Sequence, residues 1–138
     1  MHPQTNDIGA YIKCQGNVPP QSLSGTTAVN GAALDRQGYG SGVIIAQVGT
    51  ATGSPTSFTA TVKLQESNTT TSGDFTDVSG VSFVLDANSE TSELDVDLAG
   101  LKQYIRVVIT PAFVDGSSPT VPACASIVLG GADRLPAA

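Results

Sequence analysis

The sequence predicts an all-β fold: an antiparallel β-sandwich, of which the jelly roll is one form, with an extended N-terminal arm. Glycine (15 residues) and proline (8 residues) recur along the 138 residues and only 13% of residues are charged, as in proteins built of short strands and many turns. Several segments alternate apolar and polar residues, which is the pattern of a half-buried strand. The most apolar segment is rich in β-branched residues, which pack well on a pleated sheet.

That segment, residues 103–110, predicts the central strand, because five of its eight residues are β-branched. One face is wholly apolar and must meet a core; it carries Ile105, Val107 and Ile109. The other face is mixed and is expected near the edge of a groove or a partner; it carries Tyr104, Arg106 and Val108. Pro111 is expected to end the strand, since proline has no N–H for the ladder.

Further strands are predicted to cover the central one, at residues 41–49, 58–65, 81–85, 92–98 and 121–129. The first of these is apolar on both faces at its centre, which predicts an internal strand. The second alternates without exception, and its inward side is formed by Phe58, Ala60, Val62 and Leu64. The polar residues 67–74 predict a mobile hairpin tip.

The chain is expected to divide into three sections. Residues 1–34 form an extended N-terminal arm with a short strand at residues 8–14, residues 35–131 the β-sandwich domain, and residues 132–138 an irregular C-terminal tail. Two prolines, Pro19 and Pro20, and nearby glycines argue against regular structure in the arm. A disordered terminus is the alternative, but it would have little reason to carry apolar residues. An arm that docks on a partner would use Ile8, Tyr11, Ile12, Val18, Leu23 and Val29.

Arg106 is a charge inside the most apolar segment of the chain. Either its stem covers the outer surface of the sheet, or its guanidinium pairs with a carboxylate on a neighbouring chain. The second possibility makes Arg106 a further candidate contact with a partner.

The net charge is −6, and eight acidic residues but no Lys or Arg lie between Glu66 and Asp97. Phosphate binding needs a basic surface, so nucleic acid is not expected as a partner. The acidic stretch is either a solvated face or a steering patch for a basic partner or a cation. No apolar run approaches the ~18 residues of a membrane span, and no secretory leader is evident, so synthesis in a cytoplasm is expected. In that compartment Cys14 and Cys124 are expected to be reduced and buried, and a disulfide between the two chain ends is the alternative.

The sequence contains few of the residue patterns that form catalytic sites. The only histidine is His2, at the terminus, so a serine or cysteine nucleophile would lack a base. No phosphate-binding glycine loop and no metal-ligand motif is present. Asp95 and Asp97 project to one side of a strand and could serve calcium binding or acid–base chemistry, or simply face solvent. We therefore expect no enzyme activity, no cofactor and no metal.

The order of five segments resembles a group of small proteins from the structural modules of tailed bacteriophages. They are residues 34–39, 62–67, 74–78, 96–107 and 129–131. The resemblance implies a head decoration (cement) protein on the capsid surface of the virion, which binds the major capsid protein and stabilises the capsid, as a homo-oligomer such as a trimer. It brings no functional residues. The alternative is a minor tail protein or a module that binds host-surface glycan; with no Trp, three Tyr and four Phe, the composition offers few rings to stack on sugars.

Overall fold

The structure, a computed structural model, describes residues 7–137 and confirms the all-β prediction. Within these residues short 3₁₀ helices occur at Ile8–Ala10 and Ser72–Asp74. The strands in chain order are β1 (Lys13–Ser24), β2 (Val29–Asn30), β3 (Leu34–Asp35), β4 (Tyr39–Val48), β5 (Ser57–Ser67), β6 (Thr76–Leu85), β7 (Thr91–Asp97), β8 (Tyr104–Val114) and β9 (Thr120–Ala132).

The strands form two antiparallel sheets packed as a sandwich. Sheet A has the order β1-β9-β4-β7, and sheet B has the order β2-β8-β5-β6, with β3 paired to the same strand as β2. If β2 and β3 are counted as one interrupted strand, sheet A takes strands 1, 8, 3 and 6 of eight, and sheet B takes strands 2, 7, 4 and 5. Two interleaved Greek keys of this kind make a jelly roll, the form that the sequence analysis named.

The central strand is the predicted one. β8 lies between β5 and the short strands β2 and β3, and its inward side chains, Ile105, Val107 and Ile109, are fully buried. Pro111 does not end β8, which continues to Val114 and stays paired with β5. Beyond Ile109 no strand of residues 7–137 pairs with the other edge of β8, so a residue without an N–H is tolerated there.

The faces of β5 and β4 follow the sequence pattern with one difference. The predicted inward residues of β5 are all buried, and β4 is internal to sheet A, between β9 and β7. Only one face of β4 meets the core, through Ile44, Ala46 and Val48. Its other face, with Val43 and Ile45, is half-buried on the outside of sheet A.

The prediction of an extended N-terminal arm is wrong for residues 13–24. Instead of a short strand near residues 8–14, the 12-residue β1 starts at Lys13 and pairs along β9, from Lys13 opposite Leu129 to Ser24 opposite Thr120. Its two prolines fall within a register shift between Val18 and Gln21. An edge strand tolerates both prolines and bulges, because its outer N–H groups need no partner strand. Residues 1–6 of the predicted arm lie outside the described residues.

Asn17 of β1 joins the two sheets. Its side chain is 5% exposed; Nδ2 donates to Ala32 O at 2.8 Å, and Oδ1 accepts from the N–H of Val107 at 2.7 Å. The N–H of Gly31 donates to Val107 O at 2.7 Å. Asn17 thus accepts a backbone hydrogen bond from β8 at the position between β2 and β3, where no strand pairs with β8 in residues 7–137. A Cβ at Gly31 would collide with the Asn17 side-chain amide.

The chain beyond β9 is short. β9 ends at Ala132, and residues 133–137 form bends without regular secondary structure. The two cysteines are unbonded, but Cys14 is exposed and Cys124 half-buried, so the expectation that both are buried is wrong. Within the described part of the chain, no helix has the length and apolar character to cross a bilayer.

Candidate functional site

The seven candidate contact residues do not form one surface. Val18 and Leu23 are each 1% exposed and belong to the core, which corrects their assignment as partner contacts. Val29 is half-buried against the same core. Ile8 is 63% exposed, and Tyr11 and Ile12 are half-buried. A contact role therefore stays a prediction for Ile8, Tyr11 and Ile12.

Arg106 points to the outside of sheet B but is only 7% exposed, because the β5–β6 loop covers it. Its guanidinium lies over the Phe75 ring, 4.3 Å from the ring centroid. Nη1 donates to Ser72 Oγ at 2.8 Å and Nη2 to Ser72 O at 3.2 Å. Nε donates to Gln65 Oε1 at 2.9 Å. Arg106 is thus engaged within the chain, which corrects its assignment as an anchor on a partner.

The burial of Arg106 and its partners have electrostatic consequences along the outer face of sheet B. Desolvation lowers the pKa of the Arg106 guanidinium from its ordinary value. The Gln65 amide that accepts from Arg106 also donates to Asp77 Oδ1 at 2.8 Å. That hydrogen bond, followed by one from Lys63, lowers the pKa of the Asp77 carboxyl. A continuous polar chain therefore runs from the loop to the solvent-exposed Lys63–Asp77 ion pair.

Side-chain hydrogen bonds hold the polar loop after β5, which the sequence predicts as a mobile hairpin tip. Thr69 Oγ1 donates to Asp74 Oδ2 at 2.6 Å, and the N–H of Thr69 donates to Ser67 Oγ at 3.0 Å. With Ser72 held by Arg106, both arms of the loop are attached to the sheet. A loop held in this way can contact a partner without a large loss of conformational entropy.

We expect Arg106→Met to lower the free energy of unfolding by about 1–3 kcal/mol, because Ser72 and Gln65 each lose a charge-assisted hydrogen bond. Amide hydrogen exchange in residues 68–75 should accelerate. Lys63→Met on the same face is the control; it removes an exposed ion pair and should cost less than about 1 kcal/mol. Unchanged exchange in the loop of the Arg106 variant would show that Arg106 does not order it.

The segments that carry the phage resemblance meet at one end of the sandwich, which we call the Arg36 end. It contains the β3–β4 connection, the β5–β6 loop, the β7–β8 connection and the residues after β9. Arg36 ties two of these together: Nε donates to Lys102 O at 3.0 Å and Nη2 donates to Leu101 O. The Glu66 carboxylate accepts from the N–H of Lys102 at 3.0 Å. Sequence segments that are far apart therefore build one continuous surface.

An open cleft of about 600 Å³ lies at the Arg36 end. Its lining combines one aromatic ring with charged groups: Asp35, Gln37, Gly38, Tyr39, Ala132, Asp133, Arg134 and Pro136. The Asp35 carboxylate is already hydrogen-bonded within the chain. Its Oδ1 accepts from the N–H of Gln37 at 2.9 Å, and its Oδ2 accepts from Gln103 Nε2 at 3.2 Å. Arg134 is exposed, and the one ion pair found among residues 7–137 is that of Lys63 with Asp77.

The two ends of the described chain add apolar surface beside this cleft. The N–H of Ala137 donates to Ala10 O at 2.8 Å, so the segment after β9 lies against the first 3₁₀ helix. Next to this contact, Ile8 is 63% exposed and Leu135 is 55% exposed. The Arg36 end therefore combines charged and apolar groups in the way that protein interfaces do.

Residues 7–137 contain no group of three or more His, Cys, Asp and Glu side chains placed to hold a metal ion. Asp95 and Asp97 are exposed on the edge strand β7, in agreement with the solvent-facing alternative. His2, the only histidine, lies outside the described residues.

Sequence reasoning missed two residues that shape this molecule. Asn17 is a polar residue between a glycine and a valine, and its burial depends on strands from both sheets. Arg36 lies in a predicted turn, where an arginine is usually solvated, yet its guanidinium hydrogen-bonds carbonyls 65 and 66 residues away. Neither residue carries a local signal that could have revealed its role.

No protein-family model and no curated protein matches this chain. Similar solved structures include the SPBc2 prophage-derived protein YomS, at 16% identity and TM-score 0.38, with 86% of this chain and 95% of that chain covered. A chain of Desmodium yellow mottle tymovirus matches at 10% identity and TM-score 0.38, covering 91% and 87%. The CBM36-1 domain of a multidomain xylanase from the hindgut metagenome of Trinervitermes trinervoides matches at 8% identity and TM-score 0.37, covering 89% and 99%. Similarity at this level assigns no function to the chain.

Proposed function

We propose that this protein is a structural virion protein that binds the outside of a bacteriophage capsid, as a decoration protein. The observation that supports the proposal is the arrangement of the chain at the Arg36 end. The segments whose order resembles phage structural proteins come together there, and Arg36 and Glu66 hold them with long-range hydrogen bonds. A rigid surface of this kind loses little entropy on docking, and it would bind the major capsid protein without catalysing a reaction.

The test is the copy number of the chain in purified virions of the phage that encodes it. Quantitative mass spectrometry should find a copy number comparable to that of the major capsid protein, because decoration follows the capsid lattice. A few copies per particle would favour a minor tail protein. Absence from virions would contradict the proposal.

A second experiment addresses the docking end by rebinding purified protein to particles that lack it. Arg134→Glu at the Arg36 end should weaken binding by up to about fivefold, the effect of one exposed charge at an interface. Asp86→Lys, an exposed change in the β6–β7 connection at the opposite end, is the control and should leave binding unchanged. Equal effects of the two substitutions would show that the Arg36 end is not the docking surface.

The alternative function, a minor tail or host-surface module that binds glycan, is favoured by one observation. The cleft at the Arg36 end places Tyr39 beside Asp133 and Arg134, and an aromatic ring with polar groups is the usual composition of a sugar site. Calorimetric titration with purified host-surface polysaccharide tests this function. Binding of polysaccharide together with a low copy number would replace the decoration proposal.

A further inference from the structure

The two sheets leave four edges on the sandwich, and three of them carry features that hinder the addition of a further strand. β1 contains Pro19 and Pro20 and two register shifts against β9. β2 and β3 are two residues long each, and the part of β8 beyond them contains Pro111. β6 has a register shift against β5 and contains Gly80 at φ 78°. Prolines, bulges and very short strands are common means by which sheet edges avoid pairing with another chain.

The fourth edge, β7, lacks all of these features. Its seven residues pair with β4 without a register shift, from Thr91 opposite Gln47 to Asp97 opposite Ser41. It contains neither glycine nor proline, and no strand of residues 7–137 pairs with its other side. A regular edge of this kind is a template on which an extended segment of another protein can add a strand.

The hydrogen bonds at the two ends of β7 determine which of its backbone groups point outward. The N–H of Val48 donates to Glu90 O at 2.9 Å, and the N–H of Leu98 donates to Gly40 O at 3.0 Å. Because bonded and non-bonded pairs alternate in an antiparallel ladder, the even-numbered residues of β7 bond to β4. The other residues direct their N–H and C=O groups to the free edge: Thr91, Glu93, Asp95 and Asp97.

These same residues point their side chains to the outer face of sheet A. Val96 is buried in the core, and the three acids that alternate along β7 are exposed: Glu93, Asp95 and Asp97. Neither β7 nor its neighbour β4 contains a Lys or Arg. In an antiparallel pair, residues directly opposite each other have their side chains on the same face. A strand added to β7 would therefore place alternate side chains directly opposite the three carboxylates.

We propose that β7 is a strand-addition site for an extended segment of another protein, antiparallel to β7 and with Lys or Arg at alternate positions. Opposite charges in directly opposed positions stabilise a strand pair, and like charges destabilise it. The residues between the basic ones would face the side of the sandwich, where Leu94 and Phe83 are half-buried, so apolar residues are expected there. A second copy of this chain fits poorly, because its net charge is −6 and its own β7 is acidic.

The probe for this site is a capped heptapeptide that places a lysine opposite each acid, Lys-Val-Lys-Val-Lys-Val-Thr. Its first lysine would lie opposite Asp97 and its threonine opposite Thr91. Ordering seven residues costs conformational entropy, so binding should be weak, and amide chemical shifts of the full chain are followed up to about 5 mM peptide. The control peptide has the same composition with its three lysines adjacent. It should bind at least about fivefold more weakly, because adjacent side chains point to opposite faces of a strand.

Amide hydrogen exchange reports whether the peptide joins the sheet. In the free protein the N–H groups of Glu93 and Asp95 should exchange faster than those of Leu94 and Val96, which donate to β4. Bound peptide should slow exchange at Glu93 and Asp95. N-methylation of the peptide's lysines should weaken binding by about tenfold or more, since their N–H groups face β7. N-methylation of its valines should be tolerated, because those N–H groups point away from β7.

Asp95→Lys tests the contribution of the charges. It places a base opposite the central lysine of the peptide and should weaken binding by about tenfold. Asp7→Lys makes the same change in net charge ahead of β1, the opposite edge of sheet A, and is the matched control. Its binding should stay within about twofold of the parent, since a distant exposed charge is screened. A peptide with glutamate in place of lysine should bind Asp95→Lys more tightly than it binds the parent.

Three results would overturn the proposal. The first is the absence of chemical-shift changes at about 5 mM peptide. The second is equal binding of the alternating and clustered peptides, or full tolerance of methylated lysines, since the attraction would then not involve strand pairing. The third is protection of the Glu93 and Asp95 amides that rises with protein concentration without peptide, which would assign the edge to a second copy. None of these results bears on capsid binding, which the copy number in virions tests separately.

Discussion

Asn17→Ala is expected to lower the free energy of unfolding by about 2–4 kcal/mol, because it leaves two backbone groups without a partner. The N–H of Val107 lies in the centre of β8 and donates to Asn17 Oδ1 at 2.7 Å. Ala32 O loses its donor at the same time. No water replaces these bonds easily, since the Asn17 side chain is only 5% exposed. Urea denaturation followed by circular dichroism measures the change.

Asn17→Asp is the matched control, since it keeps the acceptor for Val107 and removes the donor to Ala32. The buried carboxyl would have a raised pKa in the folded state. Asn17→Asp should therefore lower the free energy of unfolding at pH values above that pKa, and this loss should decrease as the pH falls through it. Asn17→Ala should show no such recovery. If Asn17→Ala unfolds with the parent midpoint, the side chain does not join the sheets.

Val107→Asp is expected to abolish folding. Val107 is fully buried between the sheets, and its strand neighbour Leu64 is fully buried as well. An unpaired carboxyl at this position costs several kcal/mol, a large part of the 5–15 kcal/mol that stabilises a typical domain. Circular dichroism and the dispersion of amide proton resonances should both report an unfolded chain at neutral pH.

The control for Val107→Asp is Thr110→Asp, on the outward side of the same strand, where the side chain is half-buried. It should remain folded with a modest loss of stability, since the carboxylate reaches water. A Val107→Asp protein that melts like its parent would show that β8 is not the central strand of the core.

The alternation of side chains predicted most of the faces correctly. Phe58, Ala60, Val62 and Leu64 alternate with polar residues, and all four are buried. This inference needs no knowledge of the partner strand, because successive residues of a strand point to opposite sides. The same rule placed Ile105, Val107 and Ile109 in the core. It also identified the two apolar sides of β4, although it could not say that one side would remain at the surface of this chain.

The N-terminal section shows where local reasoning fails. Pro19 and Pro20 lower the probability of a strand when the segment is considered alone. In the fold, β1 pairs with β9, about a hundred residues later in the chain, and a register shift at Pro19 and Pro20 accommodates the two prolines in the strand. The burial of Val18 and Leu23 outweighs the unfavourable local preference, because each apolar side chain gains about 1.5–3 kcal/mol when removed from water.

The candidate site depended still more on distant contacts. The sequence by itself determined an all-β chain, the inward faces of β5 and β8, and an excess of acidic residues. Only the tertiary structure decided that Arg106 is covered by the loop at Ser72, that Asn17 bridges two sheets, and that Arg36 joins separate loops at one end. The physical reason is that alternation is a property of neighbouring residues, whereas a hydrogen bond between side chain and backbone depends on which strands the jelly roll places side by side.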